Sequence, residues 1–191
     1  MSILIFFIVI CSILVLIAVI LLFGLSMYNG LIRLKILVQE AWSGIDVQLK
    51  KRYDLIPNLV STVKGYAGHE SDVFEKVAEL RSVAMKTTDI NEKVNVENQL
   101  SGTLKTLFAV SENYPQLKAD QSFLNLQNQL ANIETDLESA RRYYNGTVRE
   151  FNTKILVFPS SIIAGMLKYS TQPFFEAEPD AKANVKVDFS N

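Results

Sequence analysis

Histidine and glutamate are the first residues of this sequence that could carry chemistry. His69 stands directly before Glu70, and a His-Glu pair on a helix begins a zinc-binding metalloprotease motif. That motif needs a second histidine four residues after the first, but Val73 occupies the position and His69 is the one histidine of the chain. Zinc hydrolysis of this kind is therefore excluded. We predict that His69 is an exposed or hydrogen-bonded residue of a helix.

Glu70 is predicted to lie in the buried seam of the same helix, between Tyr66 and Val73. A carboxylate in such a seam needs a partner, because an unpaired buried charge is very costly. We interpret Glu70 as half of an ion pair that fixes helix register, with a catalytic carboxylate as the alternative. The candidate partners are Lys50, Arg52, Arg141 and Arg142.

Other catalytic and ligand-binding signals are missing from the sequence. There is no Gly-rich phosphate loop and no Gly-x-Ser-x-Gly motif, and Cys11 is the single cysteine, which excludes intramolecular disulfides and cysteine-based zinc sites. An enzyme would need Glu70 or Asp54 in an accessible pocket with a perturbed pKa. We therefore predict a protein that is not an enzyme, with no catalytic, cofactor-binding or metal-binding residues. Trp42, the one tryptophan, is predicted to be a core anchor.

The charge balance narrows the class of partner. The chain has 19 basic and 20 acidic residues and a net charge of −1. A nucleic-acid-binding protein normally carries a basic excess on one face. We therefore predict that nucleic acid is not a partner.

The N-terminus carries an apolar segment long enough to anchor the chain in a membrane. Residues 3–25 are almost entirely Ile, Leu, Val and Phe, and the first charged side chain is Arg33. Such a helix is about 34 Å long, enough to cross a hydrocarbon core of about 30 Å. The alternative is a cleaved signal peptide, but the segment has no basic residue before it and exceeds the usual apolar length of about 7–15 residues. We predict an uncleaved, single-pass anchor at residues 1–27, in contact with the bilayer through residues 3–25.

Basic residues follow the span and predict its orientation. Arg33 and Lys35 come just after it, and the next basic group is 50–52. Because Lys and Arg are retained on the cytoplasmic side, we expect the N-terminus outside and the main domain in the cytoplasm, at the inner or plasma membrane.

Residues 28–158 are predicted to form an all-α, up-down four-helix bundle with coiled-coil-like packing. The first helix continues from the span through Gly30 and ends before Pro57, which begins the second. Asp89 and Glu92 resemble a capping pair that opens the third helix, and Pro115 opens the fourth and longest. Each helix has one apolar stripe with spacings of three and four residues. The first two helices have Leu31, Leu34, Val38, Ala41, Ile45 and Leu49, and then Leu59, Val63, Tyr66, Val73, Val77, Leu80 and Ala84. The third has Val96, Leu100, Leu104, Leu107 and Tyr114, and the fourth has Leu126, Leu130, Ile133, Leu137, Ala140, Tyr144, Val148, Phe151, Ile155 and Phe158.

Residues 159–191 form a tail of different character. Apolar residues occur at Ile162, Ile163, Met166 and Leu167, and Val185, Val187 and Phe189 alternate with polar residues. We predict that the tail packs over the bundle. Contact of its apolar residues with the membrane or a second subunit is the alternative.

Several blocks of this sequence resemble the LemA family. They are Glu40–Val60, Val63–Tyr66, His69–Glu70, Ala140–Asn145, Val148–Asn152, Phe158–Ser160, Phe174–Ala177 and Val185–Phe189. The resemblance implies a bacterial protein with an N-terminal membrane helix and an α-helical bundle, and no enzymatic activity or cofactor is established for that family. Its recurring polar positions correspond here to Asp54, Asn58, Arg141, Arg142 and Asn152, which serve helix junctions and interhelical pairing or partner binding.

The sequence thus supports two hypotheses about function. The first is a membrane-anchored structural or interaction protein that self-associates as a homo-oligomer, because long apolar stripes continue from the span and catalytic constellations are absent. The second is a signalling or stress-response adaptor that docks another membrane protein. The two hypotheses differ in whether the partner is a second copy or a heterologous protein.

Overall fold

The computed structural model describes residues 1–175, and this part of the chain contains six helices and no strand. The helices are α1 (Ser2–Lys64), α2 (Ser71–Lys86), α3 (Ile90–Ser111), α4 (Pro115–Lys118), α5 (Gln121–Leu156) and α6 (Ser160–Met166). The predicted all-α class is confirmed. The predicted contacts of Val185, Val187 and Phe189 lie outside the described residues.

Helix α1 is longer than the sequence predicted. It passes Gly30 without a break, as expected, but it also continues through Pro57 to Lys64. The predicted helix end before Pro57 is therefore wrong. Proline lacks the N–H that would bond to the carbonyl four residues earlier, at Tyr53. The Arg81 guanidinium on α2 donates to that carbonyl instead, with an Nε to O distance of 2.7 Å.

The second helix begins later than predicted. Residues 65–70 form a turn, and α2 starts at Ser71. Gly65 and Gly68 lie in this turn, and glycine weakens a helix by about 1 kcal/mol relative to alanine. The break shifts the apolar face, so that Phe74 is buried whereas the predicted stripe residue Tyr66 is exposed.

The start of α3 is confirmed. The Asp89 side chain accepts a hydrogen bond of 2.9 Å from the backbone N–H of Glu92, which is the expected capping interaction. The apolar face of α3 is buried at Val96, Leu100, Leu104 and Leu107. Tyr114, predicted on this face, lies beyond the helix end at Ser111.

The last long helix is interrupted near its start. Pro115 opens only the single turn of α4, and Asp120 then caps α5 by accepting from the Phe123 N–H at 2.9 Å. The predicted stripe is buried from Leu126 to Ile155 apart from Ala140, which is half-buried. The prediction that Phe158 belongs to this stripe is wrong. Helix α5 ends at Leu156, and the Phe158 side chain is 79% exposed. The longest helix is α1, with 63 residues, and not this one.

Two compact units make up the described chain. The first contains Met1–Trp42 and Tyr143–Gln172, and the second contains Ser43–Arg142 and the described residues from Pro173 onward. The second unit is a helical bundle of the later part of α1, α2, α3, α4 and the earlier part of α5. The predicted divisions after residues 27 and 158 stay predictions.

A sharp turn ends α6 within the first unit. Lys168 has a φ of 53°, in the left-handed region. The N–H of Tyr169 bonds to Ala164 O and that of Lys168 to Gly165 O, at 3.0 and 3.1 Å, which is the pattern of a Schellman motif. The turn places Tyr169 against Phe151, with ring centroids 5.7 Å apart, and beneath the Lys35 ammonium at 4.6 Å.

Candidate functional site

A buried ion-pair cluster lies at the centre of the second unit. Arg52 on α1 and Glu97 on α3 both have fully buried side chains and form a salt bridge. Each lies on its helix's apolar stripe, three residues from Leu49 and Leu100 respectively. The helices therefore bring the two charges together inside the core. Their mutual attraction offsets the free-energy cost of removing both charges from water.

Further polar groups complete the cluster. Arg52 Nη1 donates to Glu134 Oε1 on α5 at 2.8 Å and to Ser101 Oγ on α3 at 3.0 Å. The Tyr53 hydroxyl donates to Glu97. One guanidinium thus connects α1, α3 and α5, which is the geometry of a structural cross-link.

Burial changes the acidity of two phenols. Desolvation raises the pKa of Tyr53 from 10.0 to about 12, with a smaller opposing effect from the Arg52 charge. Desolvation likewise raises the pKa of Tyr144 to about 12. Both phenols are therefore neutral near pH 7, where the Tyr53 hydroxyl donates to Glu97. A general base would instead need a pKa near the working pH.

An apolar groove opens beside the cluster, between α3 and α5. We call it the α3–α5 groove. Its volume is about 400 Å³. It is lined by Ser101, Leu104, Lys105, Phe108, Gln127, Leu130, Ala131 and Glu134. Glu134 belongs to both features, because one of its oxygens contacts Arg52 while 43% of its side chain is exposed.

The structure corrects the predicted role of Glu70. This residue is the one before α2, in the turn, and is not in a helical seam. The Tyr114 hydroxyl donates to its Oε1 at 3.4 Å. Arg52, one of its four candidate partners, pairs with Glu97 and Glu134 instead. His69 is exposed in the same turn, outside any helix.

Four further predicted polar positions lie in the second unit. Asp54 and Asn58 are exposed on α1. Arg141 stacks over the Phe175 ring at 4.4 Å, and the exposed Arg142 pairs with Glu138 one turn earlier at 3.7 Å.

Asn152 on α5 fastens the segment that follows α6. Its Nδ2 donates to the carbonyl of Gln172 at 2.9 Å, and its Oδ1 accepts from the Gln172 N–H at 2.8 Å. The side-chain amide thus satisfies both the N–H and the carbonyl of Gln172, as the backbone of a neighbouring strand would. Asn152 therefore connects α5 to the segment that follows α6.

Three aromatic residues lie where α1 and α5 meet in the first unit, and their burial partly matches the sequence predictions. Trp42 is half-buried and meets the ring of Tyr144 edge-on, with centroids 5.3 Å apart. Tyr144 is fully buried whereas Tyr143 is 54% exposed. Trp42 thus packs α1 against α5 within the first unit.

Sequence reasoning missed Glu97 and Glu134 and did not expect the burial of Arg52. A signal was present, because Glu97 follows Val94 and precedes Leu100 by three residues each, within an apolar stripe. Arg52 stands in a similar way between Leu49 and Ile56. A charge at a stripe position on each of two helices predicts a buried ion pair.

Metal binding has no support in the described residues. Among residues 1–175, no group of three or more His, Cys, Asp or Glu side chains is placed to hold a metal ion.

The N-terminal part of α1 is the one described helix that is long and apolar enough to cross a membrane. Every large apolar side chain between Leu4 and Leu25 is exposed. Exposed apolar surface on this scale is not stable in water. Fold and surface together indicate a membrane-associated protein that is helical, without strands, over residues 1–175.

Comparison with known proteins places the chain within that class. The LemA family model matches residues 41–189. The chain belongs to the LemA family, as the sequence resemblance predicted.

The chain is also similar to a curated LemA protein and to curated magnetosome proteins. Protein LemA of Metamycoplasma hominis is 25% identical over 82% of this chain and 72% of its own length. Magnetosome protein MamQ 2 of Paramagnetospirillum magneticum is 20% identical and MamQ of Magnetospirillum gryphiswaldense is 21% identical, each over 81% of this chain. The chain spans 66% of the length of these two magnetosome proteins.

Proposed function

We propose that this protein is a non-catalytic, single-pass membrane protein of the LemA type that self-associates in the plane of the cell membrane. The α3–α5 groove is the observation that carries this proposal. It is an open apolar concavity in a protein held at a membrane. Membrane attachment raises the effective concentration of copies, so that a modest contact suffices for assembly.

The floor and walls of the groove suit a helical partner. Leu104 and Leu130 form a buried floor, and Phe108 adds a half-buried aromatic surface. Ala131 is exposed and small, which lets a second backbone approach closely. A groove of this composition accepts the apolar face of a helix.

The charges at the groove edges favour a second copy of this chain as the occupant. Lys105 lies on the α3 side and Glu134 on the α5 side. In a two-fold interface the same patch meets itself, so the α3 or α5 edge of one copy packs into the groove of the other and Lys105 of one copy can face Glu134 of the other. Such complementarity contributes mainly to specificity and register.

We propose further that the N-terminus lies outside and the helical domain lies in the cytoplasm. Arg33 and Lys35 follow the span directly and are exposed on α1. Positive residues that flank a span are retained on the cytoplasmic side.

Cysteine crosslinking in native membranes tests self-association. In a full-length Cys11→Ser background, Gln127→Cys places a thiol in the groove. Asn128→Cys is the matched control, because it replaces a neighbouring exposed amide that lies outside the lining. We expect bis-maleimides to convert Gln127→Cys to a dimer-sized product severalfold more efficiently than Asn128→Cys. Adding Ala131→Arg should abolish the product, whereas Ala78→Arg, on the exposed face of α2, should leave it.

The identity of the crosslinked product decides between the two hypotheses. Mass spectrometry should find only peptides of this chain. A product that contains a different membrane protein would overturn self-association through this groove and favour the adaptor hypothesis. Monomer alone in native membranes contradicts both a homo-oligomer and a stable heterologous complex at this surface.

A further inference from the structure

The corner between α5 and α6 is uncharged and mostly apolar. We call residues 156–167 the α5–α6 corner. None of these twelve residues carries a charge, and Lys154 and Lys168 flank the segment on either side. Outside the N-terminal span, an uncharged run bounded by lysines is typical of a segment that meets a membrane surface.

Five of the seven large apolar side chains of the corner are exposed, and Ile163 and Leu167 are half-buried. Leu156 is 68% exposed, Phe158 79% and Met166 78%. Leu4 and Leu22, within the span itself, are each 67% exposed. These three side chains are therefore at least as exposed as those two residues of the membrane-spanning helix.

The position of α6 relates this surface to the bilayer. One cleft of about 530 Å³ is lined jointly by the last turns of the span and by α6. The span contributes Ile20, Leu21, Gly24, Leu25 and Tyr28, and α6 with its C-cap contributes Ile163, Met166 and Leu167. Helix α6 thus lies beside the end of the span, where the hydrocarbon core gives way to the headgroups.

A second set of contacts also places the segment after α6 close to the C-terminal end of the span. Tyr169, just after α6, contacts Lys35 on α1 and Phe151 on α5. Lys35 lies seven residues after Tyr28, which is about 10 Å along a helix. The polypeptide therefore descends along α5 from Phe151 towards the end of the span and returns through α6 to Tyr169.

We propose that the α5–α6 corner is a second membrane contact, which inserts into the lipid interface beside the C-terminal end of the span. Its ligand is the bilayer itself. Phe158, Ile162 and Met166 enter the boundary between headgroups and acyl chains, and Lys154 and Lys168 face the lipid phosphates. Continuity with the span identifies lipid as the occupant, since both surfaces line one cleft. This inference rests on the membrane anchoring of α1.

Lipid-quenching fluorescence tests the proposal on the full-length protein. Single cysteines, Phe158→Cys and Met166→Cys in a Cys11→Ser background, carry the environment-sensitive fluorophore NBD. The protein is reconstituted in vesicles of phosphatidylcholine and phosphatidylglycerol, with or without bromine on the acyl chains near the headgroup. We expect blue-shifted emission at both sites and strong quenching by the bromines.

Two control positions separate this inference from the anchoring on which it rests. Glu150→Cys, exposed on α5 before the corner, should show water-like emission and little quenching. Leu14→Cys, near the middle of the span, should be quenched by lipids that carry bromine deep in the chain. Circular dichroism checks that every labelled variant keeps its helical content.

Each other outcome counts against the proposal in a distinguishable way. Water-like, unquenched emission at 158 and 166 with quenching at 14 overturns the corner contact and leaves the anchor intact. Blue-shifted but unquenched emission at the corner means that protein, such as a second copy, covers it, and also overturns lipid contact. Absence of quenching at 14 overturns the anchoring and the corner contact together.

Discussion

At the scale of single residues, Arg52 has the largest of the fully buried side chains in the described part of the chain. A fully buried guanidinium is rare unless it is paired, and here it is shared between Glu97, Glu134 and Ser101. These partners come from two helices other than its own. The cluster thus favours one arrangement of the helices over alternatives in which Arg52 or Glu97 would be buried alone.

We predict that Arg52→Met strongly destabilises the protein. The substitution leaves the Glu97 carboxylate buried without its partner, which costs about 3–5 kcal/mol. Arg142→Met, at a position 70% exposed, is the matched control and should change the free energy of unfolding by less than about 0.5 kcal/mol. Urea unfolding of the full chain in detergent, followed by circular dichroism, measures both.

A double variant tests the physical reason. Arg52→Met with Glu97→Leu removes both charges and should be more stable than Arg52→Met alone, because apolar residues can replace a buried ion pair. If the double variant were as unstable as the sum of the two single variants, the unpaired charge would not be the cause.

Two buried tyrosines predict a loss of stability at alkaline pH. The folded protein raises the pKa of Tyr53 and Tyr144 from 10.0 to about 12. The unfolded chain therefore releases these protons first, and their contribution to stability is full below pH 10 and lost as pH rises towards about 12. The free energy of unfolding should fall over that range. The decline should be shallower in Tyr53→Phe and shallowest in Tyr53→Phe/Tyr144→Phe, whereas equal slopes in all three proteins would contradict the assignment.

At the scale of helices, the continuity of α1 through Pro57 depends on another helix. Proline leaves the Tyr53 carbonyl without its normal helical donor, and Tyr53 is buried. Arg81 on α2 supplies the hydrogen bond. The local sequence predicted a helix end at Pro57, but the hydrogen bond from Arg81 allows α1 to continue.

We predict that Arg81 and Pro57 are energetically coupled. Arg81→Met should cost about 1–3 kcal/mol, because it leaves a buried carbonyl unsatisfied. In a Pro57→Ala background the alanine N–H can bond to Tyr53 O, so the same change should cost clearly less. Unfolding of the four proteins of this double-mutant cycle measures the coupling. Costs that are equal in both backgrounds would show that Arg81 acts elsewhere.

At the scale of the whole molecule, the charge distribution favours one orientation in the membrane. The N-terminal segment before Arg33 has no charged side chain. Every basic side chain thus follows the span, including Lys154 and Lys168 beside the α5–α6 corner. Both proposed membrane contacts place their lysines on the same side.

We predict that reporters fused after Asn191 behave as cytoplasmic proteins. A fluorescent-protein fusion should be bright and an alkaline-phosphatase fusion inactive, because the positive flank is retained inside. Replacing Arg33 and Lys35 by glutamate should shift a fraction of molecules towards the opposite orientation, while Lys76→Glu, far along the sequence from the span, should not. An active phosphatase fusion on the unaltered chain would contradict the proposed orientation.

Sequence periodicity was sufficient where local forces decide the structure. The apolar N-terminus, the helical class, the Asp89 cap and the stripe from Leu126 to Ile155 all follow from composition and from the spacing of apolar side chains. Such signals arise within one helix and need no knowledge of its neighbours. The family blocks likewise determined membership in the LemA family.

Contacts between distant segments were decided by tertiary structure alone. Glu97 is 45 residues from Arg52 in the sequence, and nothing local to either residue specifies the other as its partner. The passage of α1 through Pro57 required Arg81, and the position of the α5–α6 corner beside the span required the folding back of α5. The sequence by itself determined most of the apolar face of each helix, because the spacing of apolar side chains is a local pattern. It did not determine the burial of Arg52 and Glu97. Only the three-dimensional packing decided which buried charge meets which, because pairing depends on geometry between helices.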